Sequence, residues 1–151
     1  MSKFYAALAV ASAVCFSAGI AGAQTTPAPA KKAPKDHHDP TIRKEDLGST
    51  TIATLKIEKI TQEGPIVPGH EGAFDVIIAE GQQEPKAMRA WIGVESGKGS
   101  AKNKLEKEPN RHYHSHVRVP ETLPAGSMYW LEVEPASGPS GKASFKFFTE
   151  E

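Results

Sequence analysis

The feature that most constrains this chain is a series of short apolar runs that are separated by glycine and proline turns. The 151 residues include 13 glycines and 12 prolines. From residue 49 onward, apolar and polar side chains alternate with the two-residue period of a β-strand, and no stretch has a convincing helical spacing. The pattern predicts an all-β domain of about seven antiparallel strands packed as a sandwich. The predicted strands are 51–60, 73–79, 87–94, 101–107, 112–119, 127–134 and 143–148.

The third predicted strand contains Trp91, at a place where an immunoglobulin-like sandwich has a core tryptophan. We therefore expect Trp91 to point between the two sheets of a single immunoglobulin- or fibronectin-III-like domain that covers residues 49–151. The segment 101–107 has Leu105 as its one strong apolar residue and is rich in lysine, which is typical of a protected edge strand. A short open barrel is the main structural alternative.

The N-terminus has the pattern of a cleavable signal peptide. A basic start with Lys3 precedes an apolar stretch from Phe4 to Ile20, and Ala21 and Ala23 supply the small residues that signal peptidase requires. The prediction is cleavage after residue 23 and a periplasmic or secreted protein. The only cysteine, Cys15, lies in the predicted signal peptide, so the mature domain is expected to have no disulfide, thiolate ligand or thiol nucleophile.

Residues 24–48 are expected to form a flexible leader of proline, alanine and lysine. The first half of this segment has no aromatic or large aliphatic side chain, so it cannot bury enough apolar surface to fold. Its prolines favour an extended spacer. It also contains His37 and His38, flanked by Asp36 and Asp39, which add a second group of metal-ligand side chains.

Charge and motifs exclude several classes of function. Eighteen basic and eighteen acidic side chains give a formal net charge of zero, so there is no electrostatic reason to expect nucleic acid or an anionic membrane as a partner. There is no G-x-S-x-G motif for a serine nucleophile, and no carboxylate pair stands out from the surface charge. We expect a binding protein rather than an enzyme.

The most informative stretch is the alternating series His112, His114 and His116. Alternate residues of a strand share a face, and Tyr113, Ser115, Val117 and Val119 are expected to point inward, so the three imidazoles point outward together. Neighbouring imidazoles are then about 6.5–7 Å apart at Cβ, close enough for two of them to hold one ion. A third is too far along the strand, so the prediction is one H-x-H pair with ligands from elsewhere.

The other ligands are predicted from the expected strand pairing. A three-residue turn after 101–107 would place Glu106 opposite His112, with Lys104 and Lys102 opposite the other two histidines. The second strand is expected to present Asp75 outward, with His70 at its start. The predicted metal ligands are therefore His112, His114, His116, Glu106, Asp75 and His70.

Imidazole and carboxylate donors without sulfur suit Cu(II), Zn(II) or Ni(II), and no cofactor is otherwise expected. The alternative is a non-catalytic protein-interaction or structural module, with a periplasmic or cell-surface protein as its partner and a solvent-exposed histidine strand. A histidine cluster on such a surface would also respond to pH.

The signal peptide, polar leader and cysteine-free sandwich with histidines resemble the small periplasmic copper-binding sandwiches of the CopC-like type over residues 49–150. The resemblance lies in architecture and composition, and it implies Cu(II) bound by histidine and acidic ligands. Many such proteins have a histidine near the mature N-terminus, whereas this chain is expected to begin at Gln24. The chain equally resembles fibronectin-like accessory domains of secreted bacterial proteins, which implies binding rather than chemistry.

Overall fold

A computed structural model of the chain describes residues 42–150, and these residues form nine β-strands and no helix. The predicted signal peptide and most of the predicted leader, including His37 and His38, lie outside the described residues. Over residues 42–150 there is accordingly no helix that could cross a membrane. The strands are β1 (Lys44–Ile52), β2 (Leu55–Glu63), β3 (Glu71–Ile78), β4 (Ala87–Gly93), β5 (Asn103–Lys104), β6 (Glu106–Lys107), β7 (His112–Arg118), β8 (Met128–Glu134) and β9 (Gly141–Phe145).

The strands form two antiparallel sheets, which confirms the predicted all-β sandwich. The first sheet has the order β1-β2-β3-β7-β6 and the second has the order β5-β4-β8-β9. Large side chains from both sheets meet in the core, where the rings of Phe74 and Tyr129 stack with their centroids 3.9 Å apart. Both residues are fully buried. The predicted inward set Phe74, Val76, Ile78, Val117 and Val119 is also buried.

The first predicted strand, 51–60, is in fact a hairpin. Strand β1 runs from Lys44 to Ile52, and β2 returns from Leu55 after a two-residue turn in which Ala53 has a φ of 54°. Ala-Thr lacks the glycine or asparagine that usually marks such a turn, so local sequence does not predict a turn here. Residues 44–48, which we assigned to the leader, therefore belong to the sheet.

The predicted edge strand 101–107 is divided between the two sheets. Strand β5 pairs with β4 in one sheet, whereas β6 pairs with β7 in the other. Leu105 stands between them, 3% exposed, and its N–H donates to the carbonyl of Met88. This split and the additional β1 are why the sheets contain nine strands rather than seven.

Trp91 is fully buried, but the prediction that it points between the sheets is wrong. Its neighbours Ala90 and Ile92 belong to the core cluster, whereas Trp91 lies opposite Trp130 on the outer surface of the second sheet. The two indoles stack at 6.1 Å between ring centroids, and the Nζ of Lys102 lies 4.1 Å from the Trp91 ring centroid. The loop after β4 folds back to cover it, and Trp91 Nε1 donates to the carbonyl of Val94.

Candidate functional site

The histidines lie on the outer face of the first sheet, as the alternation predicts. Cross-strand pairing arranges this face in rows, because residues directly opposite each other on antiparallel strands point the same way. One row contains Asp46, Thr61, Asp75, His114 and Glu106. The adjacent row contains Lys44, Glu63, Ala73 and His116. The face thus brings three imidazoles to a group of acidic side chains from β2, β3 and β6.

Asp75 is the centre of this group. Its Oδ1 atom lies 2.7 Å from Nδ1 of His114 and 2.8 Å from Nε2 of His112. A carboxylate only accepts hydrogen bonds, so both imidazoles donate to this one oxygen. Only 9% of the Asp75 side chain is exposed, compared with 14% for His114 and 20% for His112. The expectation of a solvent-exposed histidine strand is therefore wrong for His112 and His114.

The ionisation of this group follows from its contacts. Burial is the largest single effect and would raise the pKa of Asp75, but the hydrogen bonds and the charges of His114 and His112 together outweigh it and lower the pKa to about 2. The hydrogen bond to Asp75 raises the pKa of His114, although burial acts in the opposite direction. Asp75 is therefore ionised throughout the physiological range and fixes the proton of His114 on Nδ1.

His112 is held between two carboxylates. Its Nε2 faces Asp75, and its Nδ1 lies 2.9 Å from Oε2 of Glu108. Both ring nitrogens therefore lie within hydrogen-bond distance of acidic oxygens, and neither can bind a metal ion without breaking one of these contacts. His112 is better described as a structural member of the network than as a ligand.

His114 and His116 have the geometry of a ligand pair. Their Nε2 atoms are 3.3 Å apart, with ring centroids at 4.9 Å. Two imidazoles that bind one zinc ion at about 2.0–2.1 Å with tetrahedral angles have nitrogens about 3.3–3.4 Å apart. Because Nδ1 of His114 donates to Asp75, its Nε2 is the atom that points to His116.

A basic residue on β1 also belongs to the network. The Nζ of Lys44 forms an ion pair with Oε1 of Glu63 and lies 3.9 Å from Oδ2 of Asp75. The Glu63 side chain is only 5% exposed. Asp75 therefore uses one oxygen for the two imidazoles and turns the other toward the ammonium group of Lys44.

The predicted pairing of Glu106 is wrong by two residues. Glu106 lies opposite His114, and the N–H of Glu108 donates to the carbonyl of His112. The turn is three residues long, as expected, but it spans residues 109–111, because Glu108 pairs with His112. It lies one residue later than a turn directly after Lys107, and this moves the register by two residues; Asn110 and Arg111 adopt positive φ in it. Lys102 and Lys104 do not lie opposite histidines, since they belong to the segment that runs along the second sheet.

His70 lies apart from the ligand pair. It precedes β3 by one residue, and its backbone bonds Val67 and Val119. Ala73, the residue opposite His116, is three positions further along the chain, which corresponds to about 10 Å in an extended strand. The structure thus brings together His112, His114, His116 and Asp75 from the predicted ligands, and places Glu106 beside them.

Sequence reasoning missed three members of the site, namely Lys44, Glu63 and Glu108. Lys44 was assigned to the leader, and Glu63 lies beyond the predicted end of its strand. The bulge between Ile57 and Lys59 in β2 changes which residues face outward, and a one-residue shift of this kind reverses the faces. Nothing in the sequence of β2 indicates this bulge, so the outward direction of Glu63 could not be predicted.

Within residues 42–150, no group of three or more histidine, cysteine, aspartate or glutamate side chains is arranged to hold one metal ion. The Nε2 atoms of His114 and His116 do have the separation of two ligands of one ion. Comparisons with protein families, curated proteins and solved structures find no match to this chain. The function must therefore be argued from the site itself.

Proposed function

We propose that this protein is a periplasmic or secreted, non-enzymatic binding protein that binds a divalent transition-metal ion through Nε2 of His114 and Nε2 of His116. The observation that carries the proposal is the 3.3 Å separation of these two atoms. Imidazole ligands favour Cu(II), Zn(II) and Ni(II) over hard cations. Export is supported by the signal-peptide pattern of residues 1–23.

Asp75 supports this assignment as the partner of a ligand rather than as a ligand. Metal-binding histidines commonly donate their second ring N–H to a carboxylate, which fixes the tautomer and makes the ligating nitrogen more basic. Oδ1 of Asp75 stands in this relation to Nδ1 of His114 at 2.7 Å. Tetrahedral coordination of zinc requires two further ligands beside this pair.

We also propose that the domain has immunoglobulin-type connectivity. An immunoglobulin constant domain has strands A, B, E and D in one sheet and C, F and G in the other. If β1 is set aside, β2-β3-β7-β6 and β5-β4-β8-β9 follow this order, with β5 as an additional edge strand. This strand order favours an immunoglobulin-like sandwich over a short open barrel.

The metal proposal is tested by calorimetric titration of the metal-free protein with ZnCl₂ and CuCl₂. His116→Ala should lower the affinity at least about tenfold, which is about 1.4 kcal/mol. His116 is exposed, so this change should leave the metal-free protein nearly as stable as before. His114→Ala is less informative because it also removes a hydrogen bond to Asp75. His70→Ala is the matched control, since it removes a histidine that lies outside the pair.

Binding should weaken as the pH falls, because a metal competes with protons for imidazole nitrogen. The pKa of His114 is raised by Asp75, so the loss should begin above the usual histidine value of about 6.5. Equal affinities for the wild type, His116→Ala and His70→Ala would contradict the proposal. A wild-type protein that takes up neither metal would favour the alternative of a protein-interaction or structural module.

A further inference from the structure

We infer that Lys44 determines which cations this site accepts: its ammonium group occupies the position between Glu63 and Asp75 where a hard divalent cation would bind. The binding of a transition metal by His114 and His116 rests on the proposed function. The exclusion of calcium and magnesium does not rest on it, because it concerns the oxygens of Glu63 and Asp75 and not the imidazole nitrogens.

The geometry places one cation against two buried carboxylates. As whole residues, Glu63 and Asp75 are 8% and 7% exposed. Nζ of Lys44 contacts Oε1 of Glu63 and lies 3.9 Å from Oδ2 of Asp75. Buried carboxylates need a compensating positive charge. The ammonium group supplies it, so the lysine stands where an inorganic cation could otherwise satisfy both acids.

The oxygens around Lys44 are of the type that calcium and magnesium prefer. Both ions take carboxylate and other oxygen ligands, and Thr61, which carries a hydroxyl group, pairs with Asp75 in the row adjacent to that of Lys44. A divalent ion that approached these oxygens would meet the charge of Lys44 at short range. The hydrogen bond to Glu63 raises the pKa of Lys44, so this charge persists at neutral pH.

The two sides of Asp75 thus have different functions. Oδ1 faces His114 and His112, whereas Oδ2 faces Lys44. The ammonium group removes the oxygen-rich side from competition and leaves the nitrogen pair of His114 and His116 as the cation-binding side. Nitrogen ligands select transition metals over calcium and magnesium.

The test compares calcium and magnesium binding in the wild type and in Lys44→Gln. Calorimetric titration with CaCl₂ and MgCl₂ should give no saturable binding to the wild type and saturable binding to Lys44→Gln, with an affinity at least about tenfold above the weakest that the titration can detect. Arg43→Gln is the matched control, because it removes the same charge from the adjacent residue, whose partner is Glu45. Lys44→Arg keeps the charge and should behave as the wild type does.

A loss of folding does not obscure the result. If Lys44→Gln is unstable, CaCl₂ should restore its thermal transition, since a ligand that binds only the folded state raises its stability. The double variant Lys44→Gln, Glu63→Gln removes one carboxylate as well and should lose both the calcium binding and the calcium-dependent stabilisation.

The inference is overturned if the wild type binds calcium as well as Lys44→Gln does, or if CaCl₂ neither binds nor stabilises Lys44→Gln. A wild type that fails to bind ZnCl₂, together with a Lys44→Gln variant that binds CaCl₂, would contradict the proposed function and leave the role of Lys44 intact. The reverse pair of results would remove the role of Lys44 and keep the metal-binding histidines.

Discussion

The outer faces of the two sheets each bury a residue that strand alternation would leave to solvent, but they do so by different means. On the second sheet the residue is Trp91, which is fully buried. On the first sheet it is Asp75, which is 7% exposed as a whole residue. Trp91 is covered by Trp130 and Lys102, whereas Asp75 is surrounded by two imidazoles and an ammonium group. Burial of Trp91 on the second sheet therefore stabilises the fold, whereas burial of Asp75 on the first sheet forms a charged site.

The difference lies in what each buried group requires. An indole gains free energy whenever its ring leaves water, and it needs one acceptor for its N–H. A carboxylate loses its hydration and must recover it through hydrogen bonds and charges. The cover of Trp91 can thus vary in detail, but the partners of Asp75 must be placed accurately. This requirement makes the first sheet the better candidate for a specific site.

The largest effect is expected from the second sheet. Trp91→Ala removes a fully buried side chain and should lower the free energy of unfolding by about 3–5 kcal/mol, measured by urea denaturation. This is a large part of the stability of a small domain. Trp130→Ala is the control: its ring is only partly buried, so its loss should be smaller. If Trp91→Ala costs less than about 1 kcal/mol, the loop over the ring contributes little to stability.

A smaller effect is expected from Asp75→Asn, which keeps the shape of the side chain and removes its charge. The shift in the pKa of Asp75 from 3.8 to about 2 corresponds to about 2 kcal/mol of stability. Because the folded-state pKa is lowered, this contribution is present above pH 3.8 and is lost as the pH falls toward 2. Urea denaturation of the metal-free protein at several pH values measures it.

Asp75→Asn should also change how the free energy of unfolding depends on pH above about pH 6.5. The pKa of His114 is raised in the folded protein, so its contribution is complete below about pH 6.5 and is lost as the pH rises through the folded-state value. The wild type should therefore be most stable between about pH 4 and pH 6.5, and Asp75→Asn should flatten both sides. Asp46→Asn, an exposed residue of the same row, should keep the wild-type profile. An unchanged profile in Asp75→Asn would contradict the network.

The contrast between the two faces also explains what could be predicted from the sequence. Alternation identified the sandwich, the inward side chains of β3 and β7, and the outward direction of Asp75 and the histidines. These features depend only on the two-residue period of a strand. The same rule indicated that His114 and His116 share a face, which is the basis of the candidate site.

Features that depend on register could not be predicted. The Ala53-Thr54 turn, the bulge in β2 and the division of 101–107 between two sheets change which residues are neighbours without changing the local pattern. Trp91 shows the same limit from the opposite side. Its size favours burial, but it alternates with the core residues Ala90 and Ile92 and so points to the outer surface of the sheet. It is buried there because the loop after β4 folds over it.

The smallest effect concerns the cation over Trp91. Lys102 lies 4.1 Å from the ring centroid and 3.3 Å from Oε2 of Glu132. Lys102→Met keeps the length of the side chain but removes its charge, and it should lower the free energy of unfolding by about 1 kcal/mol. Lys102→Arg keeps a cation over the ring and should retain most of the stability. Lys104→Met, an exposed lysine on β5, is the control and should change little. If Lys102→Met and Lys104→Met unfold at the same urea concentration, apolar contact alone covers Trp91, and charge contributes to burial only on the first sheet.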